Sequence, residues 1–292
     1  MNKNNDLLEK IKSEFPKFSK GNKKIAKFIM SNYDKAAFMT ADLLSKNTGV
    51  SCSTVVRFAV ELGYDGYPQL QKALQEMVRT KLTSVQRMEV TSNRVGDRDI
   101  LTTILNYDIL KIKQTMEEID KNAFENAVET IINAKNIYIL GVRSSASLAE
   151  FLGFYMNLIF SNVRLISTTS ASEIFEQILR VDENDVVIAI SFPRYSARTV
   201  KAVQYSQNQK AKIIAITDSK TSPLSKFATE TLIARSDIAS FVDSLVAPLS
   251  VINALVAALG MRKKEYVYDN FSKLEKIWDE YNVYEKVEND EN

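Results

Sequence analysis

Five short runs of β-branched and aliphatic residues mark the second half of the chain: IYIL at 137–140, VRLI at 163–166, DVVIAI at 185–190, KIIAIT at 212–217 and TLIA at 231–234. Runs of this kind fit strands buried on both faces. Helical segments at 146–160, 170–179 and 196–208 separate most of them. A βαβα alternation implies a parallel sheet sandwiched between helices. Two helices near 104–119 and 122–134 precede the first strand. A long apolar helix near 243–260 and an amphipathic one near 264–281 follow the last.

The first 78 or so residues read as helices only. Leu7, Leu8 and Ile11 form a short apolar stripe stopped by Pro16. Ser19 can cap a second helix in which Ile25, Phe28, Ile29 and Tyr33 recur at helical spacing. A third starts near Thr40 with Leu43 and Leu44, and Gly49 breaks it. Ser51 caps a fourth, with Val55, Val56, Ala59 and Leu62 inward, and a fifth follows Pro68. Residues 80–103 are polar with little periodicity and read as an interdomain linker with little to pack on. The organisation expected is therefore α plus α/β: a helical domain over 1–79, the linker over 80–103, a five-stranded αβα sandwich with flanking helices over 104–284, and an acidic tail over 285–292.

Composition narrows the chemistry. The chain has no histidine, which removes Ser-His-Asp and Cys-His nucleophile systems and histidine-bearing zinc sites. No catalytic residue, metal ligand or cofactor is expected. Its one cysteine, Cys52, cannot form an internal disulfide. The N-terminus is polar and charged, unlike a secretory signal, and no stretch approaches about 18 uncharged apolar residues. A cytoplasmic protein without a membrane span is expected. Residues 1–90 hold 15 Lys+Arg against 9 Asp+Glu, a net of +6, and the remainder carries a net of −4. A basic first third on an acidic body suits an N-terminal nucleic-acid module, although scatter of surface charge produces the same imbalance.

The segment TADLLSKNTGVSCSTVVRFAVELGY at 40–64 has the parts of a helix-turn-helix: a short helix, a glycine turn, the apolar turn residue Val50 and a capped second helix. Packing Val55, Ala59 and Leu62 inward turns Ser53, Thr54 and Arg57 outward near the helix start, where a recognition helix meets base edges. Arg57 can pair bidentately with guanine, and Thr40, Ser51, Ser53 and Thr54 can reach bases or phosphates. A plain helical bundle with a glycine turn is the alternative. The surrounding words, VSxSTVVRF at 50–58 and LGYxGYPQLQ at 62–71, strongly resemble the DNA-binding region of the RpiR/MurR family of bacterial regulators over about Lys23–Leu74. Cys52 departs from the polar or acidic residue common there.

Three strand ends carry clustered hydroxyls: GVRSSAS at 141–147, SFPRYSART at 191–199 and TDSKTS at 217–222. Ligands of open parallel sheets bind outside the carboxyl ends of the strands, and hydroxyls beside a helix N-terminus make an anion site. Arginine adds a fork that matches phosphate. Helix capping explains any one of these hydroxyls as well. The stretches DVVIAISFPRYSARTVKAV, AKIIAITDSKTSPL and SFVDSLVAPLSVINALV resemble the SIS (sugar isomerase) domain of the same family, over about 120–262. That resemblance implies a five-stranded parallel sandwich that binds phosphorylated sugars and usually dimerises. It places Ser144 and Ser145 in a first phosphate loop and Ser191, Arg194, Tyr195, Ser196 and Thr199 in a second. Arg143 stands where many SIS domains have a second glycine, and FPRY replaces their compact turn.

The function expected is a regulator that binds an operator in double-stranded DNA, as a homodimer or dimer of dimers, under control of a sugar phosphate. The alternative is a sugar-phosphate isomerase with an accessory helical domain, for which Glu173 and Glu176 are the candidate carboxylates. They read equally as acidic residues at a helix N-terminus. The apolar segment 244–259 either forms a self-complementary interface or covers the sheet.

Overall fold

A computed structural model describes residues 3–81, 83–96, 99–168, 170–236 and 242–285. The chain divides into two compact units. One comprises residues 1–111 with 193–195 and 236–245, and the other residues 112–192, 196–235 and 246–292.

The first unit is helical. Helices α1 (Lys3–Glu14), α2 (Lys20–Ser31), α3 (Tyr33–Ala36), α4 (Ala41–Thr48), α5 (Cys52–Glu61) and α6 (Tyr67–Lys81) enclose a core that includes Ile11, Phe18, Ile25, Ile29, Leu44, Val55, Phe58, Leu62, Leu70 and Leu74. Side-chain caps set three of the starts: Ser19 accepts from Asn22 N, Thr40 from Leu43 N and Ser51 from Thr54 N. On α5 the inward set is Val55, Phe58 and Ala59, followed by Leu62; Val56 lies outside, 41% exposed. The i, i+3, i+4, i+7 spacing admits Phe58 and excludes Val56, which corrects the expectation that Val56 points inward.

Residues 80–103, read as a polar linker, are mostly helical: α7 covers Ser84–Val95, and α8 runs from Ile100 to Glu118. Thr83 starts α7 with a reciprocal capping box, Gln86 N donating to Thr83 Oγ1 at 3.2 Å and Thr83 N to Gln86 Oε1 at 3.0 Å. Nor does this segment lack packing, since Arg87 and Thr91 are buried.

The second unit continues with α9 (Lys121–Ile132), β1 (Ile137–Gly141), α10 (Ser144–Ile159), β2 (Val163–Ile166), α11 (Ala171–Ile178), β3 (Val186–Ile190), α12 (Ala197–Asn208), β4 (Lys212–Thr217), β5 (Glu230–Ile233), α13 (Val246–Arg262) and α14 (Lys264–Glu280). The strands are all parallel, in the order β2-β1-β3-β4-β5. One face of the sheet, Tyr138, Leu140, Val187, Ala189, Ile213 and Ala215, packs with Ile174 and Ile178 of α11 and Ala202 and Val203 of α12. Helix α13 packs with α9 and α10, of which α9 packs with β5 and α10 with β1, β2 and β3. Val251, Ile252, Leu255 and Leu259 of α13 are buried, so this helix is a core element of its unit. Among the described residues no single helix is long and apolar enough to cross a membrane. Residues 286–292 of the acidic tail lie outside the described residues.

Candidate functional site

Gly49 closes α4 at φ +62, a left-handed conformation that lets the chain turn at once into Ser51. Helix α5 then lies close to α2: a Cβ on Gly21 would sit 3.2 Å from the Thr54 methyl. Asn22, buried in α2, donates from Nδ2 to Glu61 Oε2 of α5 at 2.5 Å. These contacts fix the face α5 turns outward. Ser51, Ser53 and Arg57 are exposed, and Thr54 is half-buried. Ser51 Oγ lies 2.8 Å from both Ser53 Oγ and Thr54 Oγ1, so three of the expected DNA-binding hydroxyls converge at one helix start. Arg57 Nε reaches the Ser53 carbonyl at 3.4 Å, one turn back along the same face. Thr40 stands apart, at the start of α4. Cys52 is exposed beside the Ser51 cap.

The LGYDGYPQLQ motif has a structural use that periodicity does not show. Tyr67 Oη and Gln71 Nε2 both donate to the Met39 carbonyl at 2.7 Å, and Gln75 Nε2 donates to the Ala37 carbonyl at 3.0 Å. Helix α6 thereby clamps the turn that leads into α4. Burial pushes the Tyr67 hydroxyl up to about 12.

In the second unit the strand order reverses between β1 and β3, and a parallel sheet opens its ligand crevice at the carboxyl ends flanking such a switch point. The Ser144/Ser145 loop follows β1 and the Ser191–Ser196 loop follows β3, with Gly141 opposite Ile190 in register. Two of the expected ligand loops thus begin side by side. Gly141 is required there: a Cβ would sit 2.4 Å from the Ser145 carbonyl oxygen, so any other residue would push the first turn of α10 off the strand. Arg143 adopts φ 59, ψ −129, and Arg194 adopts φ 62. The backbone at 143 keeps a conformation that glycine favours although the side chain is arginine.

Ser144 is exposed and Ser145 is buried at the start of α10. Ser191 is buried, and its carbonyl accepts from Thr217 Oγ1 at 2.8 Å. Ser196 caps α12, accepting from Thr199 N at 3.4 Å. Thr199 is fully buried, and its Oγ1 has no hydrogen-bond partner among the described residues. Arg194 and Tyr195 lie in the chain between these positions but group with the first unit. Sequence reasoning quoted TDSKTS and passed over its first two residues. Thr217 and Asp218 are buried, and Thr217 braces the second loop from behind.

At the opposite end of the sheet lies an open cleft of about 450 Å³, lined by residues including Lys135, Asn184, Asp185 and Lys212. Asp185 and Lys135 in its lining are engaged in structure. Asp185 accepts from Asn136 Nδ2 at 2.8 Å and Asp182 N at 3.0 Å. Asp182 pairs with Lys135 at 3.6 Å, and a hydrogen bond from Asn184 N holds its carboxyl below the ordinary carboxylate range.

Fold and site together define a helix-turn-helix protein that carries a second, parallel-sheet unit of SIS type. Residues 5–81 match the model of the helix-turn-helix domain of the rpiR family, and residues 130–258 match that of the SIS domain. The chain thus joins a helix-turn-helix domain of the rpiR type to a SIS domain, the make-up of a transcription regulator. An uncharacterized HTH-type transcriptional regulator of Clostridium perfringens is 25% identical over 224 residues, 76% of this chain and 79% of the relative. The structure is similar to that of the Vibrio vulnificus NanR protein complexed with ManNAc-6P, with a TM-score of 0.59 at 23% identity over 94% of this chain and 98% of NanR. It is also similar to the sugar isomerase domain of an RpiR transcription factor from Sphaerobacter thermophilus, with a TM-score of 0.57 at 25% identity over 60% of this chain and 97% of that one.

Proposed function

We propose that the chain is a cytoplasmic, dimeric transcription regulator that binds an operator through α5 and is controlled by a phosphorylated sugar bound at the carboxyl rim of the sheet. Residues 1–79 act as the DNA-binding domain and residues 104–284 as the phosphosugar-binding domain, joined through 80–103. On the DNA side Ser51, Ser53, Thr54 and Thr40 contact the backbone or bases, and Arg57 reads a base. On the effector side Ser144, Ser145, Ser191, Ser196 and Thr199 hold the phosphate, while Arg194 and Tyr195 contribute from the second loop.

The observation that carries the effector reading is the pair of serine-bearing helix starts on either side of the β1/β3 switch point, with a buried Thr199 hydroxyl behind one of them. Backbone N–H groups and hydroxyls at two helix N-termini are suited to a phosphate monoester. NanR, whose fold this chain shares, was solved with the sugar phosphate ManNAc-6P. The protein sequesters its ligand without turning it over. Glu173 and Glu176 are exposed on the first turns of α11, and Glu173 accepts from Thr168 Oγ1 at 2.5 Å, as a structural first-turn carboxylate would.

The test is thermal unfolding in the presence of hexose and pentose phosphates, N-acetylated sugar phosphates, the unphosphorylated sugars and inorganic phosphate, followed by product analysis. Saturable stabilisation by one sugar phosphate without product supports the reading. Turnover, or stabilisation by the free sugar equal to that by its phosphate, overturns it.

A further inference from the structure

Helix α5 carries more on its outward side than hydroxyls and Arg57. Val55, Phe58 and Ala59 face the core of the helical unit, and the opposite side is divided into two strips. Ser53 and Arg57, one turn apart and both exposed, form a polar strip. Cys52, Val56 and Val60, at i, i+4 and i+8, form an apolar strip beside it. Cys52 is exposed, as are Val56 at 41% and Val60 at 56%. A single exposed valine is ordinary surface. Val56 differs in three respects. Valine is a poorer helix former than alanine, lysine or glutamate, and an exposed one gains little from burial, so two of them in a helix of ten residues are a local cost. No acidic side chain lies between Cys52 and Val60, and Glu61, the first to follow, accepts a hydrogen bond from Asn22 Nδ2, so the strip can approach a polyanion. Finally, Val56 is the fifth residue of α5 and directly precedes Arg57, in the part of a recognition helix that meets base edges.

We propose that Val56 is a specificity-determining residue, whose isopropyl group packs on the C5 methyl of a thymine in the base pair next to the one that Arg57 reads. The inference rests on the reading of α5 as the operator-binding helix. A face that met only phosphates and water would have no use for an aliphatic side chain at this point. The major groove does offer one a partner: among the base edges exposed there, thymine alone presents a methyl group. The isopropyl group makes no hydrogen bond, so it tells thymine from cytosine by that methyl alone. The preference it confers is therefore modest, roughly fourfold, the worth of burying one methyl group. Arg57, with two hydrogen bonds to a guanine, supplies the stronger discrimination beside it.

The test uses the full chain and a duplex that the wild type selects from a random-sequence library. Each thymine of that duplex is replaced in turn by deoxyuridine, which removes the C5 methyl and keeps the base pair, and affinity is measured at fixed salt. The wild type should lose roughly fourfold at a thymine adjoining the guanine whose preference disappears in Arg57→Ala. Val56→Ala should lose about as much on the unmodified duplex and nothing further when that thymine becomes deoxyuridine, because the two changes remove the same contact. Its thermal midpoint should equal that of the wild type or exceed it, since alanine is the better helix former. The deoxyuridine scan of the wild type needs no variant, so it decides even if Val56→Ala folds poorly. A wild type indifferent to deoxyuridine at every position, a Val56→Ala chain that keeps the full wild-type pattern of losses, or a lowered midpoint in that variant would each overturn the inference and leave the operator-binding role of α5 standing. A wild type that selects no sequence at all would overturn that role, and this inference with it.

Discussion

Arg87 of α7 is 1% exposed and donates from Nη1 to Oδ1 of Asp243 at 2.6 Å, across 156 residues of sequence. The pair ties the segment that precedes α13 to the segment that sequence reading left as a linker. Removing one member of an enclosed ion pair leaves the other charge facing a poorer partner, at a cost of about 3 kcal/mol or more. Asp243→Ala should therefore lower the thermal midpoint by several degrees. Replacing the pair by apolar residues of similar size, Arg87→Met with Asp243→Leu, should recover much of that loss. Differential scanning calorimetry of the single and double variants measures the coupling directly.

Arg57 tests the DNA face. Among the described residues its exposed guanidinium carries no ion pair, and only the Ser53 carbonyl receives a hydrogen bond from it. Arg57→Ala should leave folding unchanged and weaken operator binding by about 1–3 kcal/mol, with a much smaller effect on random DNA. Equal losses on both at fixed salt would make Arg57 a phosphate contact.

Thr199 separates ligand binding from stability. Its buried hydroxyl lacks a hydrogen-bond partner among the described residues, so Thr199→Val removes a desolvated polar group and keeps the shape. The ligand-free variant should melt at the same temperature as the wild type or higher. Its stabilisation by the cognate sugar phosphate should fall, and the change that this ligand makes in operator affinity should shrink with it. Ser191→Ala with Ser196→Ala should abolish the response to ligand while leaving ligand-free operator affinity nearly intact. A double variant that responds fully would place the phosphate elsewhere.

Tyr67 gives a pH signature. Its folded value of about 12 lies above the ordinary tyrosine value near 10, so the fold favours the protonated hydroxyl. That contribution is complete below pH 10 and is lost as the pH rises through about 12. Alkaline unfolding of the helical unit should show this loss. Tyr67→Phe should be less stable at neutral pH by about 1 kcal/mol, for want of the bond to Met39, yet show a flatter decline across the alkaline window.

How far the sequence reached depended on where apolar side chains point. Each strand of the sheet falls within one residue of its expected run at both ends, because uninterrupted β-branched residues leave little choice when both faces are covered. The helix-turn-helix was equally legible through Gly49 and the Ser51 cap. Helix α7 was missed because its enclosed positions are Arg87 and Thr91, so its periodicity runs against the usual sign. The Thr83–Gln86 capping box was the available local signal. At the candidate site on the carboxyl rim of the sheet, motif and loop position indicate Ser144, Ser145, Ser191, Ser196 and Thr199. The brace from Thr217 to the Ser191 carbonyl was not legible, since it joins two strand ends that only the sheet order makes neighbours. At Arg143 the departure from glycine was visible in the sequence. That the backbone keeps a glycine-like dihedral beneath an arginine was not.

The first family match ends at 81 and the second begins at 130, and the stretch between them holds α7, all of α8 and the residue that secures Asp243. Swapping heads between relatives at residue 103 or 104 would hand the recipient body a foreign α7 with no assurance of an arginine facing its own counterpart of Asp243. A chimera joined ahead of Thr83 keeps Arg87, its capping box and Asp243 in one inheritance.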